Sequence, residues 1–125
     1  MDEDNRSNEE IEEEIEASAD SVNEEKLTEA DLAYIHKFSK PYVFGGETYT
    51  EIDLTGLKDF TTADAERVDR VMMKMGHRVT NKIQDTTYIK HLAMRVTGKP
   101  VEFFNSLPWK EMLMIQGIVQ MYFLS

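Results

Sequence analysis

Residues 40–52 read Lys40-Pro41-Tyr42-Val43-Phe44-Gly45-Gly46-Glu47-Thr48-Tyr49-Thr50-Glu51-Ile52. Two runs rich in aromatic and β-branched side chains flank a pair of glycines, the pattern of a β-hairpin with a two-residue loop. Glycine suits both loop positions because the primed turns that join twisted strands need positive φ. With Gly45-Gly46 as the loop, Phe44 faces Glu47, Val43 faces Thr48 and Tyr42 faces Tyr49. Continued without a break, that register sets Lys40 opposite Glu51 as a charge pair. Tyr42, Phe44 and Tyr49 then share one face, and Val43, Ile52 and Leu54 share the other. Pro41 has no N–H for a central ladder, so the sheet is small, or the strand is an edge.

Upstream, two signals compete over residues 28–40. Thr28 followed by Asp31 is a helix-capping spacing. Tyr34, His36 and Phe38 alternate with Ile35, Lys37 and Ser39 as a strand would, and the hairpin that follows favours the strand. Downstream the pattern is helical. Thr61 or Thr62 caps a helix from Ala63 with the stripe Ala65, Val68, Met72 and Met75, ended by Gly76. Residues 77–84 read as a short helical continuation or a loop carrying Val79 and Ile83. Asp85 or Thr86 caps a second helix with the stripe Ile89, Leu92, Ala93 and Val96. Gly98 then Pro100 marks a stop and a new start. A short turn over Val101–Asn105 buries Phe103 or Phe104, and Ser106 caps a last helix that holds Pro108 in its first turn. The expected fold class is α+β, with a β-hairpin or small antiparallel sheet over residues 33–54 and three to four helices within residues 62–124.

Charge divides the chain. Residues 1–31 carry fourteen acidic side chains against Arg6 and Lys26, a net of −12; residues 32–125 carry ten acidic against twelve basic, a net of +2. The acidity belongs to a tail, residues 1–30, whose composition predicts disorder, and residues 31–125 form the domain. A near-neutral body lacks the basic footprint that nucleic acid needs. The chain has no cysteine, so disulfides and thiolate metal sites are excluded. His36, His77 and His91 have no ligand-like spacing, Gly45-Gly46 lacks the Lys-Ser/Thr of a phosphate loop, and no serine sits in a nucleophile elbow. The expectation is therefore a protein with no catalytic residues, no metal and no cofactor.

The last helix is the unusual element. Nine of the twelve residues Leu113–Leu124 are apolar, and they point in nearly every direction, whereas a surface helix hides one apolar stripe. Lys110, Glu111, Gln116 and Gln120 interrupt it, and seventeen residues from Pro108 to Leu124 span only about 25 Å at ~1.5 Å each, so it does not read as a membrane span. The surplus apolar surface points to a partner or a second copy. Trp109, Met112, Ile115, Val119, Tyr122 and Phe123 are the candidate contacts, some of them necessarily core. Methionine is adaptable and suits cores and binding surfaces alike. Met72 and Met75 fall on a core stripe, while Met114 and Met121 stay open between the two roles.

The ordered motifs resemble a known family. Lys40-Pro41-Tyr42-x-Phe44-Gly45-Gly46-Glu47-x-Tyr49-Thr50-Glu51-Ile52-Asp53-Leu54, then Leu57 and Thr62-x-Asp64, is similar to the opening of tail assembly chaperones of long-tailed bacteriophages. Tyr88-Ile89-x-x-Leu92-Ala93, Gly98-x-Pro100-Val101-Glu102-Phe103-Phe104, Leu107-Pro108 and Val119-x-x-Tyr122-Phe123-Leu124 extend the likeness over residues 33–125. The resemblance implies a non-enzymatic role in the host bacterial cytoplasm. Such a protein binds the tape-measure protein, keeps it soluble while tail tube subunits assemble around it, and is absent from the mature virion. A longer frameshifted form that recruits tube protein, and assembly as a homo-oligomer, are implied in the same way. The tail admits an alternative, an acidic mimic of DNA that inhibits a host nucleic-acid-binding protein; its charges lie outside the folded domain, which favours the chaperone.

Overall fold

A computed structural model describes residues 28–124; of the tail expected to be disordered, residues 1–27 fall outside the described residues, while residues 28–30 belong to a capped helical turn and are corrected to ordered. The chain divides between Leu32 and Ala33. On the first side stands α1 (Glu29–Leu32), a single turn. Its cap is reciprocal: the Thr28 amide donates to Asp31 Oδ2 at 3.1 Å, and the Asp31 amide donates to Thr28 Oγ1 at 3.2 Å. The two signals that compete over residues 28–40 are thus both realised, one after the other.

The second unit begins with β1 (Ile35–Phe44) and β2 (Glu47–Asp53), an antiparallel pair forming a two-stranded sheet. Gly45 and Gly46 have φ of 60° and 81°, as the tight loop requires. Phe44↔Glu47, Val43↔Thr48 and Tyr42↔Tyr49 pair as the sequence predicts. The pairing of Lys40 with Glu51 does not form, because Glu51 pairs with Lys37. Five steps along β1 from Lys37 to Tyr42 match two along β2, so Phe38–Pro41 bulges. Two ladder donors are missing there. Pro41 has no N–H, and the Ser39 amide donates to Glu111 Oε2 at 3.0 Å instead.

The bulge also changes which residues face the core. An odd number of extra residues exchanges the faces of one strand relative to the other. Near the loop, Tyr42, Phe44 and Tyr49 pack inward. At the base, His36 and Ile52 do so, while Val43 stays 66% exposed. The expected second apolar face of Val43, Ile52 and Leu54 therefore does not exist: Ile52 and Leu54 are core and Val43 is surface.

Six further segments complete the unit. A 3-10 turn, Thr55–Asp59, buries Leu57. Gly56 lets it sit close against Val96, since a Cβ there would come to 3.1 Å from that residue's side chain and carbonyl. α2 (Thr62–Met75) starts at Thr61, which forms a capping box with Asp64, and ends at Gly76 with φ 71°. Only part of its expected stripe is buried: Val68 and Met72 are core, but Met75 is 52% exposed because the helix turns its last residue outward. A loop with a 3-10 turn at Lys82–Gln84 leads to α3 (Thr86–Thr97), capped by Asp85 and ended by Gly98 with φ 77°. Pro100 opens α4 (Val101–Asn105), in which both Phe103 and Phe104 are buried.

Ser106 does not cap the last helix. Its amide closes α4 on the Glu102 carbonyl, and the Pro108 carbonyl instead accepts the Glu111 and Met112 amides to open α5 (Trp109–Leu124). The expected α+β order is observed, a hairpin followed by four helices among the described residues.

Phe103 fastens the hairpin to the helices. It is fully buried, and the rings of Tyr42, Phe44, Tyr49 and Phe104 meet it edge-on at 5.0–5.3 Å. The Tyr42 hydroxyl donates to the Phe103 carbonyl at 2.7 Å. Lys99 Nζ lies 4.5 Å from the centroid of Tyr49 and covers the outer side of the cluster. Phe103→Ala should lower unfolding free energy by about 3–5 kcal/mol in urea titrations. Val43→Thr, at an exposed position of the same hairpin, should change it by no more than about 0.5 kcal/mol.

Candidate functional site

α5 carries its polarity on the wrong side for a surface helix. Glu111 and Gln116 are buried and Gln120 is half-buried, and each has a named partner. Gln116 Oε1 accepts from the Thr86 hydroxyl at 3.0 Å, and Gln120 Nε2 donates to the Ile83 carbonyl at 2.8 Å. Glu111 is 5% exposed and takes three donors or partners: His36 Nε2 at 2.6 Å on Oε1, with the Ser39 hydroxyl at 2.8 Å and amide at 3.0 Å on Oε2. Interleaved with them, Met112, Ile115 and Val119 fill the core.

The outward side is correspondingly apolar. Trp109 is 61% exposed, and Leu113, Met114, Met121 and Leu124 are exposed with it. The six sequence candidates are thereby separated. Met112, Ile115 and Val119 are interior and are corrected from contacts to core, because the inward polar groups pull that arc of the helix against α3 and β1. Tyr122 is half-buried, its ring 5.6 Å from Tyr34. Trp109 and Phe123 remain accessible. Leu113, Met114, Met121 and Leu124 are the surface residues that sequence reasoning left unassigned; only the inward destinations of Glu111, Gln116 and Gln120 reveal which side they occupy.

Phe123 leads to the second feature, an open cleft of about 370 Å³ between α2, the Lys82–Gln84 turn and α3. Phe60, Ala65, Ile83, Tyr88, Ile89 and Leu92 line it, with Thr61, Thr62 and Lys82 at the margins. Phe60 and Phe123 meet at 6.1 Å. Lys82 is held at its edge by Asp69 at 3.1 Å. Asp85 fixes the loop below: it caps α3 through the Tyr88 amide and accepts from His77 Nε2 at 2.8 Å. A space of this size, apolar with a charged margin, has room for one or two apolar side chains.

The buried polar cluster has a structural chemistry. Serine, histidine and a carboxylate lie together, but the Ser39 hydroxyl and the His36 ring both address Glu111. A nucleophilic hydroxyl needs its hydrogen bond to go to the base nitrogen, which this arrangement does not provide. The cluster holds the carboxylate and ties the bulge to α5. Burial pushes the Glu111 carboxyl up, yet the Ser39 amide, the His36 ring and the Ser39 hydroxyl outweigh it and hold it below its ordinary value. At Asp85 burial likewise pushes up, and the Tyr88 amide and His77 hold the carboxyl down. On the surface, the Thr61 amide, Arg95 and the Thr61 hydroxyl lower Asp64 to about 2. Among the described residues, no group of three or more acidic, histidine or cysteine side chains could hold a metal ion, and no helix is long and apolar enough to cross a membrane.

Compared with protein-family models, curated proteins and solved structures, the chain matches none of them.

The lowered carboxyls make the fold acid-sensitive. A group that ionises below its unfolded value contributes stability in full above that value, and the contribution is lost as pH falls through the folded one. Denaturant titrations should therefore show stability falling below about pH 4.5, the ordinary value for Glu111. In Glu111→Gln the fall should be shallower but not abolished, since Asp64 and Asp85 act in the same direction.

Proposed function

We propose that this chain is a tail assembly chaperone of a long-tailed bacteriophage, acting in the host bacterial cytoplasm to bind the tape-measure protein. It keeps that long protein soluble while tail tube subunits gather around it, catalyses no reaction, and leaves before the virion is complete. The observation that carries this reading is the open apolar cleft lined by Phe60, Ala65, Tyr88 and Phe123, in a domain that also exposes methionines at 73, 75, 114 and 121. A client with many imperfect apolar segments is served by a shallow, adaptable surface more than by one exacting pocket. An amphipathic helix presenting one or two apolar anchors suits such a cleft, with the Lys82–Asp69 ion pair at its margin facing the helix's polar flank. The motifs over residues 33–125 that resemble the chaperone family support the same reading. Recruitment of tail tube protein through a longer frameshifted form belongs to the proposal on the ground of that resemblance alone.

The experiment is co-expression with the proposed client, a phage tape-measure protein. The full chain should increase the soluble yield of that protein and copurify with it. Ala65→Gln, which fills the cleft from a half-buried helix position, should remove the copurification while the variant still unfolds cooperatively. Equal solubility with and without the chain, and no complex after purification, would refute the proposal.

A further inference from the structure

The helix pair α2 and α3 has two sides, and the cleft occupies only one. Ala65 lines the cleft, and at ~100° per residue Arg67 stands about 160° away from it around α2. On that other side lies a second groove, of about 270 Å³. Val68, Val71 and Met94 are its apolar part, Arg67, Arg95 and Lys99 are its cations, and no carboxylate lines it. Val71 is exposed there. Asp64 takes one nitrogen from each arginine, at 3.3 and 2.9 Å. A guanidinium carries five N–H groups, so donors remain on both. The cleft differs in this respect, since Asp69 pairs with the lysine at its margin. The groove is complementary to a segment that sets one or two aliphatic anchors among carboxylates.

This chain contains such a segment. Residues 9–16 read Glu9-Glu10-Ile11-Glu12-Glu13-Glu14-Ile15-Glu16, six carboxylates around two isoleucines, and they lie outside the described residues. We propose that this segment docks in the groove of its own domain, with Ile11 and Ile15 on Val68, Val71 and Met94 and the glutamates beside Arg67, Arg95 and Lys99. Two isoleucines four apart share one face of a helix, ~5–6 Å between their Cβ atoms, and a groove between two helices receives such a face. Glutamates four apart, Glu9 with Glu13, Glu10 with Glu14 and Glu12 with Glu16, oppose that helix when the segment is alone. Three cations beside them remove the opposition. The occupant is selected by reach. From Ile15 to Thr28 is thirteen residues, or about 43 Å at ~3.3 Å each. A domain the length of residues 33–125 has a radius of gyration of ~12 Å and a diameter of about 30 Å. The groove is therefore within reach whatever course the intervening chain takes. A short flexible connection holds its ends at an effective concentration on the order of millimolar. An affinity too weak to join separate molecules at micromolar concentration thus fills the groove within one chain. An acidic segment of another protein must displace this one, so the tail sets the threshold for what the groove accepts. The contact does not depend on the chaperone reading, which concerns the cleft on the other side of the helix pair.

The chain has no cysteine, so Ser18→Cys offers a single site for a nitroxide spin label beside the segment. In the full labelled chain at low salt, the amide NMR signals of Val71, Met94 and Gly98 should be broadened selectively. The broadening should be lost in about 1 M salt, where the screening length is ~3 Å, and when Ile11→Ser is combined with Ile15→Ser. Val71→Glu, which sets a carboxylate in the floor of the groove, should abolish it. Arg67→Glu, at an exposed position that folding does not depend on, should weaken it in the same way. Broadening spread evenly over the domain, or centred on Phe60 and Tyr88 in the cleft, overturns the proposal. So does broadening that survives the isoleucine replacements. Mixing labelled chain with unlabelled, isotope-enriched chain tests for a second copy. Equal broadening in the enriched chain would mean that the segment docks between molecules, and would also overturn the proposal. Ala65→Gln should leave the broadening unchanged, so loss of client binding and loss of this contact are read separately.

Discussion

A hairpin of two strands cannot stand alone in water, since it has one ladder and too little buried surface to offset the ordering of its chain. Everything around the hairpin of this domain answers that constraint. Near the loop it is held by Phe103, which four aromatic rings enclose. At the base it is held by Glu111, which takes His36 and the amide and hydroxyl of Ser39. The two anchors make opposite demands on the ribbon. The first needs Tyr49 turned inward, the second needs Ile52 inward beside His36, and three residues separate these positions on β2. The bulge at Phe38–Pro41 reconciles them by exchanging the faces between the anchors.

Burying Glu111 has a further effect on the helix that carries it. A carboxylate in the interior must be surrounded by donors, and once His36 and Ser39 supply them the rotation of α5 is set. Gln116 and Gln120 then fall toward Thr86 and Ile83, where they too are satisfied. What remains for the outside is leucine, methionine, tryptophan, phenylalanine and glycine, with Lys110 as the one charge. The apolar exterior of this helix is thus a geometrical result of its polar interior, and both come from the placement of one side chain.

How much of this could be read from the sequence follows from the range of each interaction. The Gly45-Gly46 loop and the three pairs next to it were legible because a two-residue turn imposes its register locally. The stops at Gly76 and Gly98 were legible for the same reason, and the caps at Thr61 and Asp85 to within one residue, since each acts within about one turn. Lys40 opposite Glu51 failed because the bulge depends on a carboxylate 72 residues away from Ser39. Ser106 failed because a capping residue type was present, while a proline two residues later had the carbonyl in the right place. The final helix was recognisable as overly apolar, but periodicity could not say which arc was inside. Rotation is decided by Thr86, Ile83 and His36, none of them near in sequence, so Met112, Ile115 and Val119 looked equivalent to the residues that are exposed. The lining of the cleft was opaque for the same reason, as Phe60, Ala65 and Tyr88 come together only when three segments have packed.

The link between His36 and Glu111 spans 75 residues, and this bears on how the domain is made on the ribosome. The hairpin leaves the exit tunnel before the helices it packs on, with a histidine, a serine and four aromatic side chains in search of partners. Phe103 arrives some fifty residues later, and Glu111 follows with α5. Since loop closure must be completed before such distant contacts return any stabilisation, the strands can form only transiently until the last helix has emerged. Translation at about 5–20 residues per second leaves the nascent hairpin unanchored for several seconds. During that interval the apolar faces that the finished domain buries stay open to water, and the arrival of α5 closes them.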